Sequence, residues 1–358
     1  MSRQPFFTII VSGYQNEPYL PQCLSSIANQ TYGDFEAICY VEESTDNSLA
    51  ICQEWARRDP RFIVATGPKS GAVATTRNYG IDHARGEYLV VIDGDDWIDL
   101  QMLEKLAAKL HETGPLDLLA FAAKRFVPGD QSRNNTLITN FQETDARPLQ
   151  VFSGLEAIRR IYNKYNGSQL HAFSWLNIYR LAFLREDHLR QLDGRLLEDF
   201  EFFPRVFFLA KKVSYLNRHF YFYRQQPNSV LHKNWSRCCR DLAYHFRSIV
   251  LFLSLHPVPL DIQAIWSNQW LFSFFCFFFY WLPPRHKECE AILKIFFDTK
   301  PRVTFWCFLL KAAWHRTLVL PLLWLAAQGW HSPANLYFHK IYPKLDWRFN
   351  HHKFPFGV

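Results

Sequence analysis

Residues 88–99 read YLVVIDGDDWID. The first part is a run of strand-forming residues. It ends in four carboxylates within seven positions: Asp93, Asp95, Asp96 and Asp99. Like charges this close repel one another, and folding alone does not call for them. A positive group is therefore expected at that end of the strand for at least part of the working cycle.

Upstream, strand and helix patterns alternate. FFTIIV (residues 6–11) reads as a buried strand. Residues 19–30 follow as a helix with Leu20, Leu24 and Ile27 on one face. Residues 35–41 form a second strand, and 45–58 a helix with Leu49, Cys52, Trp55 and Ala56 on one stripe. Residues 61–66 are a third strand, 72–84 a helix and 87–93 the fourth strand. Downstream, 100–112 and 116–121 continue the alternation. Such a pattern predicts an α/β fold with a mainly parallel sheet covered by helices. Ligands of these sheets collect at the carboxyl ends of the strands. Asp93 closes a strand, so its neighbours stand at that edge. Residues 127–148 are polar and turn-rich, which predicts a loop or hairpin. Helical patterns resume at 153–163 and 171–187, and 196–210 and 221–230 close the region.

The 358 residues suffice for one large domain with an extension, or for two domains. Eight of the 12 Trp lie beyond residue 239. Residues 240–358 carry 13 Lys and Arg against 6 Asp and Glu, a net +7, while residues 1–239 carry 27 of each. A basic, aromatic tail suits an anionic membrane surface. Nucleic acid fits poorly, because the apolar runs are long and the cations sparse. The 8 Cys include no CxxC pair and no zinc-ligand spacing, so Cys23, Cys39 and Cys52 are read as reduced core thiols, as in a cytoplasmic protein. Residues 6–11 are too short an apolar run for a signal peptide.

Three blocks carry a resemblance. They are TIIVSGYQNEPYLPQCLSSIANQTYGDFEAICYVEESTDNS, then GAVATTRNYGIDHARGEYLVVIDGDDW, then LLEDFEF, in that order. Together they resemble glycosyltransferase family 2 over about residues 6–230. The resemblance implies a GT-A fold and an inverting glycosyltransferase of hexosyltransferase type, using a nucleotide-diphosphate sugar, here a UDP-sugar. It also implies two halves of one domain, residues 1–125 binding the nucleotide sugar and 126–239 binding the acceptor and carrying catalysis. Beyond it, the composition of residues 240–358 predicts a helical, basic, aromatic-rich extension that associates with membrane or packs.

A carboxylate cannot hold a diphosphate directly, but carboxylate-bound Mg²⁺ or Mn²⁺ can. By resemblance, Asp93 lies toward ribose or metal and Asp95 ligates the metal in a DxD motif. Gly94 permits a tight backbone between them. Asp99 is read as a turn or helix cap, and Asp96 stays open between the two roles. Glu42 or Glu43 would take the carboxylate position that accepts the N–H of the base, with Ser44, Thr45 or Asp46 capping the next helix. The pair is Glu where the family has Asp, and no Gly precedes Ser44. Tyr14 either contacts the nucleotide or packs.

Arg77, beside Asn78, is expected to brace the Asp cluster or hold a phosphate. By resemblance, Asp199 is the general base, which the chemistry needs because the acceptor hydroxyl must lose a proton, with Glu198 positioning or tuning it. The bland alternative for both is an acidic first helical turn. Arg224 is a candidate for reaching the diphosphate. No QxxRW block occurs, so a processive synthase is not expected.

The tail runs 271–282 and 305–327 are, respectively, too short and too charged to span a bilayer, and are read as interfacial helices or buried core. The expectation is a peripheral protein on the inner face of the plasma membrane. It would act on a glycan or lipid-linked glycan in lipopolysaccharide, capsule or similar surface-polysaccharide synthesis. Two other classes stay in view. One is a Mg²⁺-dependent phosphohydrolase, which wants Thr or Val after the second Asp where this chain has Asp96 and Trp97. The other is an inactive carbohydrate- or membrane-binding module, whose mark would be loss of the metal Asp or the base.

Overall fold

The computed structural model describes residues 4–129, 150–162, 173–226, 234–263 and 265–266. The backbone divides into two units, Met1–Pro227 and Asn228–Val358. In the first unit, β1 (Phe7–Gly13), α1 (Leu20–Ala28), β2 (Phe35–Glu42), α2 (Ser48–Arg58), β3 (Phe62–Gly67), α3 (Ala74–His83) and β4 (Tyr88–Asp93) follow the predicted alternation. Then come β5 (Trp97–Ile98), α4 (Met102–Thr113), β6 (Leu118–Phe126) and α5 (Gly154–Tyr162). A 3₁₀ turn at Ser174–Leu176, β7 (Asn177–Arg180), α6 (Leu181–Glu186), α7 (Asp199–Leu209) and β8 (Val213–Arg224) complete the unit.

Among the described residues these strands form one eight-stranded sheet in the order β3-β2-β1-β4-β7-β6-β8-β5. β3, β2, β1 and β4 run parallel. The chain lays β2 and β3 on one side of β1 and then returns to place β4 on the other. That reversal opens a crevice at the carboxyl ends of β1 and β4, the usual ligand position in such sheets. Ser12 pairs with Asp93 across it.

Burial explains why these strands read as continuous apolar runs. Every residue of β2 is buried, as are Phe7, Ile9, Ile10 and Val11 of β1. α1 buries Leu20, Cys23, Leu24 and Ile27, the predicted stripe with one thiol added. α3 packs tightly on β1 because residue 80 is glycine. A Cβ there would stand 2.9 Å from Cβ of Ile10. This close approach carries Arg77, one turn earlier, to the carboxyl edge of the sheet.

The helix expected over 171–187 is a correction. Its described part is a 3₁₀ turn, the strand β7 and the six-residue α6. β7 is inserted antiparallel between β4 and β6, with Asn177, Ile178 and Tyr179 all buried. A strand covered on both faces loses the alternation that would identify it, and tertiary pairing overrides the local pattern. β8, the partner of β6 and β5, was not anticipated over residues 213–220.

In the second unit, α8 (Trp235–Leu255) buries Cys238, Cys239, Leu242, Phe246 and Ile249 along one face. The predicted loop over 127–148 is described only to residue 129, and the apolar runs at 271–282 and 305–327 lie outside the described residues. Among the described residues no helix is long and apolar enough to cross a membrane. Cys23, Cys39, Cys52, Cys238 and Cys239 are free, buried thiols.

Candidate active site

The acidic loop after β4 is anchored residue by residue. Asp93 ends the strand, half-buried, and its Oδ1 accepts the Ser12 hydroxyl at 3.1 Å. Gly94 donates its N–H to the Ser12 carbonyl at 3.0 Å, and a Cβ at this position would come within 2.4 Å of that oxygen. Only glycine lets the loop pass so close to β1. Asp96 is buried, and its carboxylate takes the Tyr221 hydroxyl and the Arg224 N–H, each at 2.7 Å. Burial, then the neighbouring Asp95 and Asp93, push its pKa well up. Asp96 thus fastens the loop to β8. Asp99 accepts the Gln101 N–H at 2.9 Å, just before α4, as a turn residue does.

Asp95 lies between these anchors. Its Oδ2 accepts the Gln226 amide at 2.7 Å, and its carbonyl accepts Arg224 Nε at 2.8 Å. Burial, then the charge of Asp93, push its pKa up to about 6. The Arg224 guanidinium also donates to Gln22 at 2.6 Å and sits near the rings of Trp97 (4.8 Å), Tyr19 (4.9 Å) and Phe126 (5.2 Å). Trp97 in turn stacks on Phe222, its cross-strand partner. In this state Arg224 holds the acidic loop by its backbone.

Arg77 joins the two acidic blocks. Its side chain is 5% exposed, with Nη1 2.5 Å from Glu198, Nη1 3.6 Å from Asp199 and Nη2 3.4 Å from Asp93. Burial disfavours its charge, but Asp93, Glu198 and Asp199 outweigh that and raise its pKa. Glu198 and Asp199 reach it through Leu197, whose φ of 62° is left-handed. Such a conformation costs a leucine on the order of 1–3 kcal/mol and persists only when its surroundings impose it. Asp199 then opens α7, where the helix dipole favours an anion. Its Oδ1 takes the Ser174 hydroxyl and its Oδ2 the Ser174 N–H at 3.3 Å. Burial, then the Glu198 charge, push Asp199 up to about 7 against the pull of Arg77 and Ser174.

The remaining candidates line the carboxyl ends of β1 and β2. Tyr14 is half-buried, its N–H donates to Asn16 at 2.7 Å, and the Lys69 ammonium lies 4.7 Å from its ring centre. Glu42 is buried and accepts the Ser70 hydroxyl, while Glu43 is exposed and donates its N–H to the Gly67 carbonyl. Asp46 organises this corner. It accepts the Ser44 hydroxyl, the Ser48 N–H and hydroxyl, and the Glu17 N–H, and these bonds hold its pKa down against burial.

Among the described residues no group of three His, Cys, Asp or Glu side chains is arranged to hold a metal by itself. Asp93 and Asp95 nonetheless fit a hard divalent cation. They offer oxygen ligands, and the pKa of Asp95 is raised first by burial and then by the neighbouring charge of Asp93, both of which disfavour its ionised form in the absence of a cation. Mg²⁺ and its analogues commonly take one or two carboxylates and complete their shell with water and substrate phosphate.

Sequence reasoning missed Ser12, Lys69, Ser70, Ser174, Gln191, Tyr221 and Gln226. They contact the site from strand ends and loops that only pairing brings together. The turn-rich stretch GPKSG at residues 67–71 was the one local signal available.

Residues 8–179 match the family model described as Glycosyl transferase family 2. The chain carries a glycosyltransferase family 2 domain. The chain is 29% identical over 232 residues to EpsH of Bacillus subtilis, a match covering 64% of this chain and 63% of EpsH. The glycosyltransferase GlyG of Streptococcus pneumoniae is 26% identical over 308 residues, covering 82% of this chain and 97% of GlyG. Among solved structures, TarS 1–349 of Staphylococcus aureus in complex with UDP superposes with a TM-score of 0.66 at 20% identity, covering 93% of this chain and 91% of that one. The domain therefore has the GT-A fold.

Proposed function

We propose that this glycosyltransferase family 2 protein moves a sugar, with inversion, from a UDP-sugar to a hydroxyl of a glycan or lipid-linked glycan in bacterial surface-polysaccharide synthesis. The observation that carries the reading is Arg77. One buried guanidinium pairs with both Asp93 and the Glu198–Asp199 pair, so a donor carboxylate and the candidate base stand around the same side chain. The names of relatives add support. TarS is a poly(ribitol-phosphate) β-N-acetylglucosaminyltransferase, and its structures include complexes with UDP and UDP-GlcNAc.

In this reading Glu42 or Glu43 accepts the N–H of the base, and Tyr14 flanks the nucleotide. Asp93 and Asp95 hold Mg²⁺ or Mn²⁺, which when bound neutralises charge on the leaving diphosphate as a Lewis acid. Asp199 takes the proton of the acceptor hydroxyl as its oxygen bonds to the anomeric carbon. The carbon–oxygen bond to the diphosphate breaks, and the electron pair leaves with it. Arg77 keeps Asp93, Glu198 and Asp199 together without itself exchanging a proton. Arg224 either holds the acidic loop throughout or turns to the diphosphate when donor arrives. Residues 1–125 serve the donor and 126–239 the acceptor and the base.

A thermal-shift screen of nucleotide sugars with Mn²⁺ tests the donor class. One UDP-sugar at 100 times its Kd should stabilise the folded state by about 2.7 kcal/mol. No shift with any nucleotide sugar, but hydrolysis of phosphate esters, would favour the phosphohydrolase instead.

The tail, 240–358, is proposed to attach to an anionic bilayer on its cytoplasmic side. Support comes from its +7 charge and its eight Trp. The full-length protein should sediment with vesicles containing anionic lipid, less so at high salt, and not with neutral vesicles. Sedimentation with neither would assign the tail to packing or self-association, and equal sedimentation with both would show attachment that does not depend on anionic lipid.

A further inference from the structure

The hydrogen bonds around Asp199 assign unequal work to its two oxygens, and the inference rests on the reading of Asp199 as the base. Ser174 is buried on the 3₁₀ turn before β7. Its hydroxyl donates to Asp199 Oδ1. Gln191 Nε2 donates to that same serine oxygen at 2.8 Å, which leaves the serine hydrogen directed at the carboxylate. Gln191 is itself pinned. Its N–H donates to Asn78 Oδ1 at 2.9 Å, and its carbonyl accepts Asn78 Nδ2 at 2.8 Å. The Tyr179 hydroxyl holds the Ser174 carbonyl at 3.1 Å. Adjacent residues of α3 therefore converge on one carboxylate: Arg77 by charge, and Asn78 through Gln191 and Ser174. Oδ1 takes the strong donor, while among the described residues Oδ2 accepts only the 3.3 Å backbone N–H.

We propose that Ser174, oriented by Gln191 and Asn78, is a positioning residue that occupies Asp199 Oδ1 and so reserves Oδ2 to take the proton of the attacking hydroxyl. The charged and titratable groups facing Asp199 are Arg77 from α3, Glu198 beside it on α7, and Tyr179 from β7. Arg77 approaches the same oxygen as the serine hydroxyl, Oδ1, at 3.6 Å, so both leave Oδ2 the less engaged of the two. In the transfer step the proton passes to Oδ2, the new carbon–oxygen bond forms, and the diphosphate departs with the bonding pair.

The test follows UDP release from the UDP-sugar selected by the screen, with water as acceptor, in the full-length protein. Ser174→Ala should lower kcat about 10–100-fold, the scale of one hydrogen bond to a charged group, with the donor KM unchanged. The limb of the pH profile that rises with deprotonation should move to higher pH, because a donor to the charged form is gone. Gln191→Met should move it the same way by less. Carboxyl ¹³C NMR, with the Asp199 signal assigned by its loss in Asp199→Asn, reads the same shift without substrate. An unmoved limb and an unmoved carboxyl titration in both folded variants would overturn the role of Ser174. If Asp199→Asn itself retained turnover, the base assignment would fail first, and the two failures are thus distinct.

Discussion

Asp199→Asn lowers turnover about 10²–10⁴-fold, the usual contribution of a positioned general base, and leaves nucleotide-sugar binding intact. Asparagine keeps the shape and the oxygen that accepts the Ser174 hydroxyl, but it cannot take a proton. The pH profile adds a second signature. With Asp199 pushed up to about 7, wild-type turnover should climb as pH rises through that value, since only the carboxylate is a base. The variant should lose this limb. Stability moves in the opposite sense. A carboxyl whose folded pKa is raised stabilises most when protonated, below its unfolded pKa, and that contribution is lost as pH rises through about 7. Above that pH the asparagine variant should be at least as stable as wild type by thermal denaturation. Near-normal turnover on a true acceptor would remove Asp199 from the mechanism.

Asp95→Asn acts on the donor instead. Metal-dependent binding of the nucleotide sugar should disappear, read by calorimetry with and without Mn²⁺, while the fold survives. The reason is electrostatic. Asp95 is buried beside Asp93, and its pKa is pushed up to about 6, so at neutral pH the ionised pair repels without a cation between. Deleting one charge removes that repulsion, and asparagine can still accept the Gln226 amide. The stability that protonated Asp95 contributes is present at low pH and lost as pH rises through about 6, so apo Asp95→Asn should melt no lower than wild type at pH 7. Wild-type affinity of the variant in Mn²⁺ would refute the metal role of Asp95. A large fall in its melting temperature would show that Asp95 serves the fold.

The two variants differ because the two carboxylates answer to different partners, and the sequence carried only part of that. Within YLVVIDGDDWID, Asp93 and Asp95 read as donor-site carboxylates and Asp99 as a turn or cap, while Asp96 stayed open between the two roles. The structure separates them by what each touches. Asp96 is consumed by Tyr221 and the Arg224 backbone, Asp99 by the turn into α4, and Asp93 and Asp95 remain for a ligand. Asp96 was the one left undecided, because the groups that claim it, the Tyr221 hydroxyl and the Arg224 N–H, lie on β8, more than a hundred residues away.

What the sequence determined by itself is whatever depends on near neighbours. The patterns of residues 6–121 specify strands and helices, since a helix buries one face at spacings of three to four and a strand covered on both faces is a short continuous apolar run. Their alternation then specifies the parallel sheet and the edge where ligands gather. The acidic first turn at Glu198–Asp199 and the glycine at 94 were legible for the same reason.

Tertiary structure alone decided the rest. It made β7 a strand, because insertion between β4 and β6 supplied hydrogen bonds that its local pattern does not announce. It joined Arg77 to Asp93 and Asp199 across 16 and 122 residues of chain. It also enlisted Ser174, Gln191 and Gln226, polar residues with no motif of their own. Each has a role only because folding removes water from a carboxylate and leaves that carboxylate needing a donor from wherever the chain can bring one.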